Sequence, residues 1–274
     1  MKNKPQGPAF FVTIPHSGEQ IPPEAQWLMG LSEVVLMRDV DRFVDRIYAP
    51  SLQELGVPVI VTPWHRYAAD LNRFSKDVDP TTVKGSNETP GKYNRGLHWA
   101  ITTLGEPLMK EPISVELHQQ IVKKYFDPFH AQIQKQVQNY QKENYKNIYH
   151  IDAHSMPSQG TKEHRDPGEM RADFVVSDQK GKSCSAEFKD LVIAAYQNQG
   201  FSVAYNWPYL GGRITEHYGQ PSKGHHTIQV EMNRRLYMDE SSKQYMPALA
   251  SALIPKVKKA LEEIHSGLFS MRFH

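Results

Sequence analysis

An α/β fold, with a mostly parallel or mixed sheet and helices on both of its faces, is what the sequence predicts. Two observations carry this expectation. Short apolar runs rich in β-formers alternate with amphipathic helical stretches, a pattern that implies crossover connections and a sheet covered on both sides. Two of those runs also end alike: Phe10–Ile14 leads into Pro15-His16-Ser17-Gly18, and Ile148–Ile151 leads into Asp152-Ala153-His154-Ser155. Open α/β sheets hold their ligands at the carboxyl ends of strands. The two histidines can share a site only if their strands are neighbours.

Taken in order, Phe10–Ile14 is the first strand. Residues 39–54 follow a helical period, with Val40, Phe43, Val44, Ile47 and Leu52 on one broad face and Gly56 as the stop. Val57–Val61 is a second strand, and Trp64–Leu71 is read as a third. Residues 74–96 are polar and rich in Gly, Pro, Lys, Asn and Thr, so a long loop is expected there, suited to a binding loop or lid. Ser114–Asn144 is a long helical region that Pro128 should kink or split. Further strands are expected at 148–151, 174–176, 202–206 and 227–232. Helices are expected at 186–199 and 242–265, with Gly267 closing the last.

The chain has 274 residues, read as a single α/β domain spanning 1–274. Its composition is 39% apolar, and no apolar run approaches the ~20 residues of a spanning helix. No long apolar segment follows Met1-Lys2-Asn3-Lys4-Pro5, so no secretory signal is read and a cytoplasmic setting is expected. A net charge of +2 argues against nucleic acid or an anionic membrane as partner. The single Cys184 excludes an intramolecular disulfide and a Cys-rich metal cluster.

The chemistry then rests on histidines, acids and arginines. Zinc in hydrolases takes three protein ligands and keeps a fourth position open. His16 and His154 supply two. For the carboxylate, Glu19 (His-x-x-Glu), Asp39, Asp41 and Asp152 all remain candidates, Asp152 being equally suited to orient a histidine. Glu231 ends an apolar strand, where a carboxylate needs a role or a partner: a general base, or a salt bridge to Arg234 or Arg235. Arg66, Arg73, Arg213 and Arg235 lie near strand ends or glycine turns and suit an acidic ligand. Ser17, Ser155 and Cys184 sit in no nucleophile elbow. Cys184 is placed to begin a helix, where its pKa could fall, or simply to pack.

Several ordered motifs together resemble one family. Pro15-His16-Ser17-Gly18, Asp39-Val40-Asp41 leading to Arg46-Ile47-Tyr48, Asp70-Leu71-Asn72-Arg73, Gly96-Leu97, Asp152-Ala153-His154-Ser155-Met156, Gly211-Gly212-Arg213-Ile214 with His217-Tyr218-Gly219, and Gln229-Val230-Glu231 with Tyr237-Met238 are similar to the N-formylglutamate amidohydrolases, deformylases of histidine degradation. The resemblance covers roughly residues 10–240. It implies a phosphorylase/hydrolase-like fold related to the zinc exopeptidases. It implies one zinc ion held by His16, Asp41 and His154, with Glu231 as base, and another divalent metal could substitute. It further implies a small acidic N-acyl amino acid as substrate, gripped by Arg66, Asn72, Arg73 and Arg213, with formate and glutamate as products. Glu19 departs from the family, which more often has threonine there. Phe43 and Arg213 stand where some members have histidine. Two other readings remain: a zinc amidase or carboxypeptidase acting on peptides or peptidoglycan fragments, and a non-catalytic module that binds acidic ligands.

Overall fold

The structure is a computed structural model in which residues 7–271 are described. Its helices and strands are β1 (Phe10–Ile14), α1 (Glu33–Leu36), α2 (Val44–Glu54), β2 (Val59–Val61), α3 (Val115–Ile121), α4 (Asp127–Lys142), β3 (Ile148–Met156), β4 (Phe174–Ser177), α5 (Ala186–Asn198), β5 (Val203–Tyr205), α6 (Arg213–Tyr218), β6 (His225–Asn233), β7 (Met238–Asp239), β8 (Gln244–Tyr245) and α7 (Pro247–Met271). Six strands form one sheet in the order β2-β1-β3-β6-β4-β5. Four of its five pairings are parallel; β4 runs antiparallel to β6. The reversal has a simple cause. The connection from β3 to β4 contains no helix to carry the chain back across the sheet, so β4 starts at the edge where β3 ended.

Alternation along the strands builds two layers. Phe10, Val12 and Ile14, Tyr149, Ile151 and Ala153, and Ile228, Val230 and Met232 face α2, α5 and α7 in the main core. α5 buries Phe188, Val192, Ala195 and Tyr196, a helical stripe, behind an N-cap in which Ser185 accepts from the Phe188 N–H. On the opposite face, Phe11, Ile60 and Ile148 pack with Phe129 and Ile133 of α4 and Ile214 and Tyr218 of α6. The fold class read from the sequence therefore holds.

Several element boundaries differ, each for a local reason. β3 continues through Met156 because β6 pairs with it over its whole length, from Ile148↔His225 to Met156↔Asn233. α2 begins only at Val44. Residues 39–43 are occupied elsewhere: the Asp41 N–H donates to the His16 carbonyl at 2.9 Å, and Phe43 is left-handed with φ 69°. Trp64–Leu71 is not a strand. It coils into turns in which Ala68 N–H bonds the His65 carbonyl and Asp70 N–H bonds that of Leu97. The long helical region relaxes through a π-helical turn, Val122–Phe126, just before Pro128 enters the first turn of α4, where its missing N–H costs least. Residues 242–246 complete the turn and β8 of the β7–β8 ribbon instead of starting the helix. Gly267 lies inside α7, not at its end, because α5 passes so close that a Cβ there would meet Leu191 Cδ1 at 2.6 Å.

Candidate metal centre and active site

β1 and β3 are adjacent and parallel, with Thr13 opposite Asp152. That register places His16, just beyond β1, against His154 on β3, with ring centroids 4.8 Å apart. The loop before α2 delivers Asp41 between them. His154 Nδ1 lies 3.0 Å and His16 Nδ1 3.5 Å from Asp41 Oδ2. All three residues are 2% exposed or less. Their ligand atoms lie within 4.8 Å of one another, a possible His/Asp/His metal site.

The surroundings fit a metal ion. His16 Nδ1 is buried and has no hydrogen-bond partner. The far nitrogen of each ring is tied to an acid: His16 Nε2 to Asp70 Oδ1 at 2.7 Å, His154 Nε2 to Asp152 Oδ2 at 2.8 Å. Such pairing fixes ring orientation and makes the inner nitrogen a better donor. Asp41 is held likewise, with Oδ1 accepting from Arg234 Nη2 at 2.9 Å and Ser155 Oγ at 3.2 Å. Oδ2 is thus left to the centre. Burial opposes ionisation of Asp41, but His154, His16 and Arg234 outweigh it and hold the carboxyl well below its usual range. For Asp70, burial is outweighed by His16, Arg66 and Arg73. Asp41, Asp70, Asp152 and Glu231 all lie buried around the two rings, so the centre is rich in oxygen and nitrogen donors.

The rival carboxylates have other partners. Glu19 makes a two-pronged ion pair with Arg42, at 2.7 and 3.0 Å. Asp39 accepts from Tyr67 Oη at 2.6 Å and from Thr103.

Glu231 sits opposite His154 in the β3–β6 register. Its partner is not the salt bridge that Arg234 or Arg235 could have offered. Arg234 binds Asp41, and Arg235 binds Asp173. Glu231 Oε1 instead accepts from Gln229 Nε2 at 2.8 Å. Burial, reinforced by Asp41, pushes its carboxyl up to about 7, with His154 and Arg234 pulling against this.

A cavity of about 440 Å³ opens above the centre, lined by His16, Asp41, His154, Glu231, Arg66, Asn72 and Arg73 among others. Its cations differ in engagement. Arg66 is already paired with Asp70 at 2.8 Å and stacks on Trp99. Arg73 holds only the carbonyls of Arg95 and Asn72, and no acid pairs with it among the described residues. Arg213 is not brought to the cavity wall. It opens α6, pairs with Asp77 and Glu216, and lies over Phe74. The Gly-Gly turn contributes backbone instead. Gly212 N–H donates to Gln229 Oε1 at 2.7 Å, and the turn passes so close to Asn72 that a Cβ on Gly212 would meet Asn72 Nδ2 at 2.1 Å. Asn72 in turn lies 3.3 Å from His154 Nε2. Of the loop 74–96, Arg95 reaches the cavity, alongside Thr161, Glu163 and His164 from the β3–β4 connection. Cys184 is buried 3.8 Å from Asp178, and burial and that acid push its thiol up, away from an activated nucleophile.

Asp70, Arg234 and Gln229 stand in the sequence motifs or as partners for Glu231, but their contacts to His16, Asp41 and Glu231 are not legible in the sequence. Asp70 and Gln229 have a local signal, their places in Asp-Leu-Asn-Arg and Gln-Val-Glu; Arg234 matters through Asp41, a partner distant in sequence.

Known proteins are similar to this chain in sequence and fold. The family model described as N-formylglutamate amidohydrolase matches residues 9–238. An N-formylglutamate deformylase of Pseudomonas aeruginosa is 30% identical over 264 residues, 93% of this chain and 92% of the relative. Another, of Pseudomonas putida, is 28% identical over 236 residues, 85% and 82% of the two chains. The crystal structure of N-formylglutamate amidohydrolase from Ralstonia eutropha JMP134 has a TM-score of 0.84 at 24% identity, covering 99% of this chain and 97% of that one. The gene product Atu2144 from Agrobacterium tumefaciens gives 0.66 at 17% identity, over 94% and 92%. The resemblance first carried by short motifs thus extends over nearly the whole length, and this chain belongs to the N-formylglutamate amidohydrolase family.

Proposed function

We propose that this chain hydrolyses the amide bond of a small acidic N-acyl amino acid, N-formyl-L-glutamate first among them, to formate and glutamate. The observation that carries this reading is the convergence of His16, Asp41 and His154 beside a buried Glu231, in a chain whose curated relatives are named N-formylglutamate deformylases. His16, Asp41 and His154 would hold a zinc ion, which when bound would supply Lewis acidity toward water and the formyl carbonyl. Glu231 takes the proton from the attacking water, and its raised pKa suits it to hold and return that proton near neutrality. The water oxygen bonds to the formyl carbon, the C–N bond breaks, and Glu231 delivers the proton to the departing nitrogen. Arg73 grips a substrate carboxylate, aided by Asn72, while Arg66 acts through Asp70 to hold His16. A chain with a single buried thiol suits the cytoplasm, the setting we propose. No helix among the described residues is long and apolar enough to cross a membrane.

The test is formate release from N-formyl-L-glutamate by the purified protein, with zinc and with chelator. Zinc-dependent formate is the expected result. Formate unaffected by metal removal overturns the metal role. No formate from protein holding about one zinc moves the substrate to other N-acyl groups.

A further inference from the structure

A second cation reaches the cavity without a counter-ion. Lys243 lines it, yet its ammonium has no hydrogen bond or ion pair among the described residues. The other cavity cations are committed: Arg38 to Glu106, Arg66 to Asp70, Arg234 to Asp41. Arg95 lies 4.0 Å from Glu163. Only Arg73 resembles Lys243 in having no acid on it. Lys243 is partly buried, so it keeps some water when the cavity is free, and an acidic ligand entering the cavity would replace that water with a carboxylate. Burial draws the Lys243 ammonium below its ordinary range, with Arg234 and Arg38 adding to the effect and Glu240 and Asp39 opposing it.

Lys243 is also held in place. It lies in the tight β7–β8 connection with φ 60°, a conformation few side-chain-bearing residues adopt. Asp239 Oδ1 closes the turn by accepting from Ser242 N–H and Oγ. The Lys243 carbonyl accepts from Arg42 Nη1 at 2.9 Å, and Arg42 is fastened by both oxygens of Glu19. The Glu19–Arg42 pair, which is no part of the metal centre, thus braces a turn that aims a lysine at the cavity.

The two uncommitted cations reach the centre through different neighbours. Arg73 follows Asn72, which meets His154 at Nε2. Lys243 is within electrostatic reach of Arg234, which holds Asp41, which meets His154 at Nδ1. We propose that Lys243 is a specificity residue that binds the side-chain carboxylate of an N-formyl dicarboxylic amino acid, while Arg73 takes the α-carboxylate. The inference rests on the proposed deformylase reading. The division of labour follows from position. Arg73 adjoins Asn72, which touches His154, as suits a group that meets the carboxylate beside the formylated nitrogen, while Lys243 enters the cavity from the β7–β8 turn.

The experiment compares kcat/KM for N-formyl-L-glutamate and for N-formyl-L-glutamine, its isostere without the side-chain charge. Lys243→Met is expected to lower the glutamate-to-glutamine ratio by about tenfold, and Lys243→Arg to keep most of it, since a charge-assisted hydrogen bond is lost in one and replaced in the other. A general folding defect lowers both substrates together and leaves the ratio alone, so an unchanged ratio overturns the proposal. If the wild-type chain releases formate from neither substrate, the deformylase reading fails by itself. Calorimetric titration with glutarate and butyrate then decides the Lys243 question. About tenfold selective weakening of glutarate in Lys243→Met supports it; equal weakening, or no glutarate binding by the wild type, overturns it.

Discussion

The division among the carboxylates at the centre is a matter of single residues. Asp41 has one oxygen pinned by Arg234 and Ser155 and the other turned to two histidine nitrogens, whereas Glu19 is spent on Arg42. Asp41→Ala is expected to abolish metal binding and Glu19→Ala to leave stoichiometry near one, both read by elemental analysis of the purified protein. Retention of metal by Asp41→Ala would remove it from the ligand set. Asp152→Asn keeps the shape around His154 but weakens the charge that orients it, so metal affinity should fall about 10- to 100-fold by competition with a chromophoric chelator. Glu231→Gln keeps the hydrogen-bonded size but cannot carry the proton. We expect kcat to drop by roughly 10²- to 10⁴-fold with metal content unchanged; loss of metal instead would make Glu231 a ligand.

At the scale of elements, the site depends on how closely the turn before α6 approaches the strand layer. Asn72 Oδ1 accepts from the Ile214 N–H at 2.8 Å, so its side chain cannot swing aside to admit a Cβ on Gly212. Gly212→Ala should therefore cost kcat/KM at least about tenfold through displacement of Asn72, with circular dichroism unchanged. A variant as active as wild type would show that the turn moves freely. α5 offers a contrast far from the chemistry: Ser185→Ala removes its cap and should cost about 1 kcal/mol in urea unfolding without affecting kcat.

Across the whole molecule, buried histidines set the acid limit. Burial holds His65, His130 and His225 down to about 4 and His98 to about 3. The unfolded chain binds these protons near pH 6.5, the folded chain only near pH 4. Their contribution is therefore complete above pH 6.5 and lost as pH falls toward 4. For His65 alone it is on the order of 3 kcal/mol. His154, raised by Asp152 and Asp41 against its burial, acts in the opposite sense in metal-free protein. The urea midpoint of metal-free protein should decline steadily from pH 7 to pH 4.5; a flat profile would mean that these rings are hydrated.

What the sequence determined by itself was periodic or covalent. Apolar alternation specified the strands and their two faces, helical spacing specified α5, and ordered motifs named the family, since each is carried by neighbouring residues. Boundaries failed where a distant partner took over the backbone or side chain. β3 runs on through Asp152 and His154 because β6 lies beside it, and α2 starts late because His16 claims the Asp41 N–H. The resemblance already pointed to Asp41, but the engagement of Glu19 and Asp39 with other partners, the attachment of Arg234 to Asp41 instead of Glu231, the turning away of Arg213, and the placing of Lys243 at the cavity are visible only in the tertiary structure. Each depends on which of several similar charges is nearest in space, and contacts separated by many tens of residues leave no local pattern to read.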